Sequence, residues 1–396
     1  MTKLFDITGK AISGEWGSDD ENNTGIPVIR TTNFTNEGNI DYSNVVTRSI
    51  KKKNIVNKFL KQGDIIIEKS GGSDDQPVGR VVYFNGQNNK YLFNNFTGLL
   101  RIKDTAKWNP RYVFWVLYAS YKQGKTKLYQ NRTTGLHNLR TDAYVKDLDI
   151  KFLPLEEQKH ISEVLDKIRF QIELKEREIS KLDTLIKARF VEMFGDPVLN
   201  SKNYPENTLA NYINFMTSGS RGWSKYLTPK GQGWFLTIKN VKNSHISISN
   251  IQSVNPPNSK EAQRTKVREG DLLISITADL GRTGVVNSEI ASHGTYINQH
   301  LTCVRLNTKL INPIYASYFL ESMAGKRQFN SKNKNGVKAG LNFEAIKSLK
   351  LIIPPIKIQN EFVSFVQQVD KSKVAIQKSL DETQNLFDSL MQKYFS

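Results

Sequence analysis

Asp64, Glu68 and Lys69 lie within six residues of one another, and metal-dependent nucleases combine carboxylates with a lysine in a similar way. An internal repeat argues against this chemistry. The second copy has Ser275 and Ile276 where the first has Glu68 and Lys69. The carboxylate and the lysine are therefore not part of the repeated design, and we interpret this stretch as the end of an amphipathic strand.

A second stretch, Asn255-Pro256-Pro257-Asn258, is similar to the Asn/Asp-Pro-Pro-aromatic loop of adenine methyltransferases, whose ring stacks on a flipped base. Asn258 has no ring, and no glycine-rich methyl-donor loop follows a predicted strand. The five histidines have no metal-binding spacing, and the chain has no Walker loop. The sequence thus predicts no catalytic residue, no metal site and no ATP hydrolysis by this chain.

These stretches belong to a chain that repeats itself. Gly63 to Ile67 returns 207 residues later as Gly270 to Ile274. A repeat of about 200 residues is too long for a solenoid unit, so it indicates tandem duplication of a whole domain with its trailing helix. Such a duplication implies a target with two related halves. Further pairs recur in the same order: Asn33 and Asn240, Asn109-Pro110 and Asn312-Pro313, Pro154 and Pro355, Gln158 and Gln359.

The repeat divides the chain into four predicted segments. Two globular domains occupy 1–150 and 197–350, and two helical spacers occupy 151–196 and 351–396. Turn residues separate short apolar runs within each globular domain. The strands are predicted at 26–29, 64–67, 81–84, 98–102, 234–238, 271–276, 285–286 and 301–306, and helices at 112–119 and 314–320.

The two spacers show a sustained heptad pattern, which is typical of a coiled-coil seam. Pro154 and Pro355 are expected in the first turn of each helix. If the second helix packs antiparallel on the first, the chain becomes quasi-circular, with a pseudo-two-fold axis. We therefore predict an α+β (mixed) fold with two duplicated α/β domains separated by two long antiparallel helices. The seam includes Ile161, Leu165, Ile168, Ile172, Phe362, Val366, Val369 and Ile376.

The positive charge of the chain is concentrated in its globular segments. The chain carries a net charge of +18, of which 1–150 carries +7 and 197–350 carries +12, whereas the spacers carry −1 and 0. This distribution favours binding of a polyanion by the globular domains. The single cysteine, Cys303, is expected to be buried, and we expect a cytoplasmic protein without a signal peptide or membrane span.

Together, five motifs resemble the specificity subunit of type I restriction-modification systems over essentially the whole chain. Each motif alone is weak, but their order around a duplicated plan is specific. The first domain matches less well, because Gly14 to Gly17 is followed by an acidic stretch, Ser18 to Glu21. The motifs are Ser218 to Tyr226, Ile276 to Gly284, Tyr296 to His300, Pro154 to Gln158 and Phe190 to Asp196.

The resemblance implies a DNA-recognition subunit that performs no chemistry itself. Each domain would read one half of a split site in double-stranded DNA, and the helices would fix the unread gap. The helices would also dock two methylation subunits and, through them, the restriction and motor subunits. The eight seam residues named above are the candidates for this docking. S-adenosylmethionine, ATP and Mg²⁺ would be used by those partners, with no cofactor bound by this chain.

DNA contacts are predicted in loops that mix cations, amides, glycines and aromatics, because Arg and Lys suit guanine and Asn and Gln suit adenine. At Asn33 and Asn240, turn capping competes with base contact. The alternatives for the whole chain are a stand-alone DNA-modifying or cleaving enzyme, and a scaffold that bridges two proteins. The candidate contacts are Arg30, Thr32, Asn33, Lys69, Arg132, Thr133, Arg221, Ser224, Lys225, Tyr226, Lys239, Thr277, Arg282, Tyr296, Asn298, Lys334 and Lys338.

Overall fold

A computed structural model of the chain describes residues 1–22, 24–51, 54–133, 136–333 and 340–396, without the side chains of 132, 133 and 136. The chain forms two compact units. Unit 1 comprises Met1–Glu176 and Ser379–Ser396, and unit 2 comprises Arg177–Lys378. Each unit therefore contains one globular segment and parts of both long helices.

Unit 1 combines short strands with three helices before the first long helix begins. The predicted strands and the predicted helix of this segment are confirmed, with bounds that shift by up to two residues at either end of each strand. The elements are β1 (Thr2–Lys3), α1 (Leu4–Thr8), β2 (Ile12–Ser13), β3 (Ser18–Asp19), β4 (Ile26–Ile29), β5 (Val46–Ser49), β6 (Ile65–Glu68), β7 (Ser70–Gly72), β8 (Val81–Tyr83), β9 (Leu92–Phe93), β10 (Thr97–Leu100), α2 (Pro110–Lys122), β11 (Gln130–Thr133), β12 (Leu136–Leu139), α3 (Thr141–Asp147), β13 (Asp149–Ile150) and α4 (Leu155–Phe194).

Unit 2 follows the same plan with different insertions. Its predicted strands and helix are also confirmed, and Cys303 is buried as expected. The elements are β14 (Glu206–Thr208), β15 (Ile213–Ser218), β16 (Gly233–Leu236), β17 (Val241–Lys242), β18 (His245–Ile246), β19 (Gln252–Val254), α5 (Lys260–Thr265), β20 (Leu272–Ser275), β21 (Thr283–Val285), α6 (Ser288–Ser292), β22 (Tyr296–Ile297), β23 (Leu301–Leu306), α7 (Pro313–Glu321), α8 (Met323–Lys332), α9 (Phe343–Lys347), β24 (Lys350–Ile352) and α10 (Ile356–Phe395).

The central sheets of the two units correspond strand by strand. The four-stranded sheet β2-β10-β6-β8 of unit 1 matches β15-β23-β20-β21 of unit 2, and all of its pairings are antiparallel. In a second sheet of unit 1, β4 pairs antiparallel with β5 and parallel with β9. The equivalent strand of unit 2, β16, pairs antiparallel with β19 and parallel with β22. The three-stranded sheet β11-β12-β7 belongs to unit 1 and has no equivalent among the described residues of unit 2.

The repeated Gly-Asp motif is a structural ion pair. The carboxylate of Asp64 accepts from Nε and a terminal nitrogen of Arg101 at 2.8 and 2.6 Å, and Asp271 accepts from Arg305 in the same way at 2.7 Å. Both aspartates are buried, so the bidentate contact with arginine offsets the loss of hydration. The repeat therefore preserves a fold-forming contact.

A buried glutamine fastens the start of each long helix to the globular part of its unit. Gln158 Oε1 accepts from the backbone N–H of Asn109 at 2.8 Å, and Gln359 Oε1 accepts from that of Asn312 at 2.9 Å. Each glutamine also donates to a carbonyl just before its own helix. The predicted position of the prolines was one residue off: Pro154 and Pro355 precede the first helical residue.

The heptad prediction of two long helices is confirmed, and each helix spans 40 residues. In unit 2 the helices run antiparallel, because Phe194 packs on Phe362 and Asp183 pairs with Lys373. In unit 1 the Lys175 ammonium donates to Thr383 at 2.8 Å. Lys175, Lys373 and Thr383 are polar residues at heptad positions that are otherwise apolar. Lys175 and Thr383 thus bind each other, and Lys373 binds Asp183.

Six of the eight seam residues are buried in the cores of their own units, which corrects their assignment as docking residues. Side chains that are buried within this chain have no surface left for a partner protein. Ile168 and Ile376 are partly buried, and the other six are at most 7 % exposed: Ile161, Leu165, Ile172, Phe362, Val366 and Val369.

Candidate nucleic-acid interface

Four loops of the second domain are predicted to bind DNA, at 221–226, 277–282, 296–299 and 332–338, and the first three meet in unit 2. Arg221 Nε donates to Gln299 Oε1 at 2.8 Å, which joins the loop after β15 to the loop after β22. Thr277 Oγ1 lies 2.7 Å from Nδ1 of His300, which adds the loop after β20. We call these three loops the unit 2 loop cluster.

The crossing of two of these loops requires a glycine. A Cβ on Gly219 would lie 2.0 Å from the carbonyl oxygen of Asn298, and a Cβ on Gly14 would lie 2.1 Å from that of Asn94 in unit 1. The second residue after this glycine is Trp16 in unit 1 and Arg221 in unit 2. The backbone crossing is therefore shared by the two units, while the side chain presented after it differs.

The loop after β20 holds Arg282 beside an acidic neighbour. Arg282 is 28 % exposed and pairs with Asp279, which is 62 % exposed. The turn also places Ala278 at a φ of 57°, a region that L residues other than Asn and Asp seldom occupy. A constrained turn thus presents a cation whose partner is accessible to solvent.

The other candidates of unit 2 differ in exposure. Tyr296 is only 8 % exposed and packs against Trp223, with ring centroids 5.3 Å apart, so it supports the loop cluster from within and has no free face for a base. Asn298 accepts from the backbone N–H of His300 at 3.1 Å. Tyr226 is partly buried, and the exposed candidates are Ser224, Lys225 and Lys239.

In unit 1, two candidate segments lie side by side. The backbone carbonyl of Lys69 accepts from Leu139 at 2.8 Å, so the start of β7 adjoins the hairpin β11–β12. Lys69 Nζ donates to Ser13 Oγ at 3.3 Å, and burial lowers the pKa of this ammonium. The hairpin pairs Asn131 directly with Asn138.

The structure resolves the alternatives at Asn33 and Asn240 in favour of capping. Asn33 is buried, accepts from the backbone N–H of Arg30 at 2.9 Å and donates to two carbonyls, those of Asp41 and Asn44. Its amide is fully used within the protein, which corrects its assignment as a DNA contact. Thr32, in the same turn, is exposed, and Arg30 donates to the Asn44 carbonyl at 3.2 Å.

The side chains of four candidate DNA contacts lie outside the described part of the structure. Arg132 and Thr133 lie on β11, but their side chains are outside the described part of the structure. Lys334 and Lys338 lie outside the described residues altogether. Gln299 lies within a loop predicted to contact DNA, from Tyr296 to Gln299, but sequence reasoning missed His300 as a functional side chain. Nothing in the motif indicated that these two side chains join neighbouring loops.

The carboxylates that suggested a nuclease are bound by arginines. Asp64 pairs with Arg101, and Glu68 accepts two hydrogen bonds from Arg80 at 2.9 Å each. Both acids therefore have structural partners. Within the described residues, no group of three or more metal-ligating side chains is found. No described helix has the length and apolarity needed to cross a membrane.

Comparison with known proteins fits this arrangement of two units with duplicated sheets. A family model for the type I restriction modification DNA specificity domain matches residues 2–184 and 219–383. The chain therefore belongs to this family of DNA-recognition subunits. The two matched segments correspond to the two copies of the internal repeat.

The chain is similar to several type I restriction enzyme specificity subunits. It is 27 % identical to the EcoKI subunit of Escherichia coli K12, over 93 % of this chain and 82 % of that protein. It is 20 % identical to the putative MjaX subunit of Methanocaldococcus jannaschii, over 98 % and 92 %. The S subunit from M. genitalium shares the fold, with a TM-score of 0.62, 15 % identity and coverage of 100 % and 95 %.

Proposed function

We propose that this chain is the non-catalytic DNA-reading subunit of a type I restriction-modification complex, and that each unit reads one half of a bipartite site in double-stranded DNA. The observation that carries the proposal is the repeated frame with different loops. Both units have the same central sheet and the same Asp–Arg pair, yet the second residue after the crossing glycine is Trp16 in unit 1 and Arg221 in unit 2. Two similar frames with different contact residues suit two different half-sites.

The charge distribution supports the same proposal. The two globular segments carry +7 and +12, and the spacers are close to neutral. Positive charge on the globular parts attracts the phosphates of DNA, which provide most of the salt-dependent affinity. We propose that α4 and α10, each about 60 Å long at 1.5 Å per residue, set the distance between the half-sites.

We further propose that the solvent-facing sides of the helices dock two methylation subunits, which recruit the restriction and motor subunits. Leu185 on α4 and Leu386 on α10 are 47 and 51 % exposed and lie at equivalent positions of the repeat. Single exposed apolar side chains are common on protein surfaces, so the support comes from their recurrence at equivalent positions of both helices. S-adenosylmethionine, ATP and Mg²⁺ would be bound by the partners.

The first experiment is a map of N6-methyladenine by single-molecule sequencing. A methylation-free host would express this chain with its cognate methylation subunit. We expect a split motif with a constant gap, which disappears when either chain is omitted. Methylation or cleavage by this chain alone would favour a stand-alone enzyme, and a stable complex without any methylated motif would favour a scaffold.

The docking proposal is tested separately by mass measurement of the assembled complex. We expect Leu185→Asp and Leu386→Asp each to lose one methylation subunit and the double variant to lose both. Ser180→Asp and Asn385→Asp add the same charge at exposed polar positions of the same helices and serve as controls. Full assembly of the double leucine variant would refute this docking face.

A further inference from the structure

Four side chains from the unit 2 loop cluster form a continuous chain of hydrogen bonds. Arg221 Nε lies 2.8 Å from Gln299 Oε1, Gln299 Nε2 lies 3.3 Å from His300 Nε2, and His300 Nδ1 lies 2.7 Å from Thr277 Oγ1. Each of the three loops contributes at least one member. These hydrogen bonds therefore link the loops after β20 and β22 to the side chain of Arg221.

The direction of each bond follows from the donors available. Arginine only donates, so the Gln299 oxygen faces Arg221 and the Gln299 amino group faces His300. His300 Nε2 must then accept, which leaves the proton of the neutral ring on Nδ1. That proton points to the hydroxyl oxygen of Thr277. One neutral tautomer of His300 therefore satisfies all three hydrogen bonds at the same time.

This arrangement fixes the orientation of the guanidinium group. The backbone N–H of Arg221 is held by Glu261, whose other oxygen accepts from the buried Trp223 ring at 3.2 Å. The two terminal nitrogens of Arg221 make no hydrogen bond within the described part of the chain, and the residue is exposed. A guanidinium held through Nε presents both terminal nitrogens outward, which is the fork that binds O6 and N7 of guanine.

We propose that Arg221 reads a guanine in the half-site bound by unit 2, and that Gln299, His300 and Thr277 are positioning residues for this contact. The inference rests on the proposed function, because it deepens the DNA-reading role of one loop cluster. Arg282, the other arginine of the cluster, is half-buried, pairs with Asp279 and has no comparable support from neighbouring loops.

Unit 1 provides an internal contrast. Unit 1 has Trp16 two residues after Gly14, and Asn95 and Phe96 after Asn94, whereas unit 2 has Arg221 two residues after Gly219, and Gln299 and His300 after Asn298. Unit 1 cannot form the same series of hydrogen bonds, because the Phe96 side chain has neither a donor nor an acceptor to replace the His300 ring. Changes to the network should therefore alter one half of the recognised motif and leave the other half unchanged.

The test uses the full chain in complex with its methylation subunit, with the methylated motif as readout. We expect Arg221→Ala to make one guanine of the motif degenerate and to reduce discrimination at that base about ten- to hundredfold. Arg221→Lys should keep much of the phosphate attraction but lose the same discrimination, because lysine has no planar fork. Wild-type binding should weaken similarly when that guanine is replaced by 7-deazaguanine, which lacks N7.

Thr277→Val tests the positioning role, because it removes the hydroxyl with almost no change in shape. We expect discrimination at the same guanine to fall about three- to tenfold, and the double variant with Arg221→Ala to lose nothing further there. Thr277→Ser should restore it. Ser70→Ala, at the equivalent position of unit 1, should not affect that guanine. If Thr277→Val does not fold, Gln299→Met tests the same link.

The outcomes separate this inference from the function on which it rests. Absence of any methylated motif with wild-type chain and partner would refute the proposed function. A bipartite motif that keeps every base in the Arg221→Ala complex would overturn only the guanine assignment. Additive losses for Thr277→Val and Arg221→Ala would overturn the positioning role while the guanine contact stands.

Discussion

The glycine-arginine turn before β8 and β21 has opposite surroundings in the two units. In unit 1, Arg80 is 12 % exposed and bound to the buried Glu68, whereas in unit 2, Arg282 faces solvent beside Asp279. The equivalent of Glu68 is Ser275, which accepts from the backbone N–H of Arg282 at 2.8 Å. One substitution on the neighbouring strand thus decides whether the same arginine builds the core or is available to a ligand.

A second contrast separates the frame from the loops. The Asp–Arg pairs, the helix-starting glutamines and the capped turns at Asn33 and Asn240 occur in both units. The residues after Gly14 and Gly219, and those after β6 and β20, do not match. Shared contacts therefore maintain the fold, and the unmatched loops are where two different half-sites can be distinguished.

The largest effect is expected at the shared ion pairs. Arg101→Ala and Arg305→Ala should each lower the free energy of unfolding by about 3–5 kcal/mol, because each leaves a buried aspartate without its partner. Denaturant titration of the full chain measures both. Lys347→Ala, which removes an exposed i, i+3 pair with Glu344, is the control and should cost less than about 1 kcal/mol. A large loss in only one unit would contradict the shared frame.

The glycine-arginine turn gives the sharpest difference between the units. Arg80→Ala should cost about 3 kcal/mol or more, because Glu68 stays buried and unpaired, whereas Arg282→Ala should change stability by less than about 1 kcal/mol. DNA affinity should respond in the reverse order, with Arg282→Ala weakening binding. Equal effects of the two variants on stability would show that Arg80 and Arg282 have the same structural role.

A smaller effect is expected at the buried glutamines. Gln158→Leu and Gln359→Leu each remove a buried amide that bonds the backbone of an N-cap asparagine, which should cost about 1–3 kcal/mol. Thermal unfolding of both variants measures the loss. Gln392→Leu, at an exposed position of α10, is a matched control. Gln158→Leu should lose somewhat more than Gln359→Leu, because Gln158 Nε2 also donates to the Lys107 carbonyl at 2.9 Å.

The smallest effect is expected at His245 of unit 2. His245 Nε2 lies 3.0 Å from Asp370 Oδ1, and Nδ1 lies 2.7 Å from the Asn243 carbonyl. Burial lowers the pKa of His245, but the hydrogen bond and charge of Asp370 together with the Asn243 carbonyl outweigh burial and the nearby Lys373, so the pKa is raised overall. Both ring nitrogens face acceptors, which matches a protonated ring.

The sign of the pH dependence follows from the raised pKa. The stabilisation is fully present below the ordinary histidine pKa of 6.5 and is lost as the pH rises through the folded value. The melting temperature of wild type should therefore exceed that of His245→Gln by more at pH 6 than at pH 8.5. A difference that does not depend on pH would show that this ion pair does not contribute.

The sequence by itself determined the repeat, eight of the strands, both long helices and the location of the positive charge. These features are local or periodic, so short windows of sequence contain them: the heptads predict α4 and α10, and apolar runs predict β6 and β20. It also identified the loops that contain the exposed cations of unit 2, because those loops mix arginine, lysine and glycine.

Only the tertiary structure decided which of these side chains are available. Asn33 and Tyr296 have residue types that suit DNA, but their neighbours bury them. The heptad residues proposed for docking are likewise used within the cores. The link from Arg221 through Gln299 and His300 to Thr277 spans residues 78 positions apart in the chain. Burial and hydrogen-bond partners depend on residues distant in sequence, and the folded chain alone brings them together.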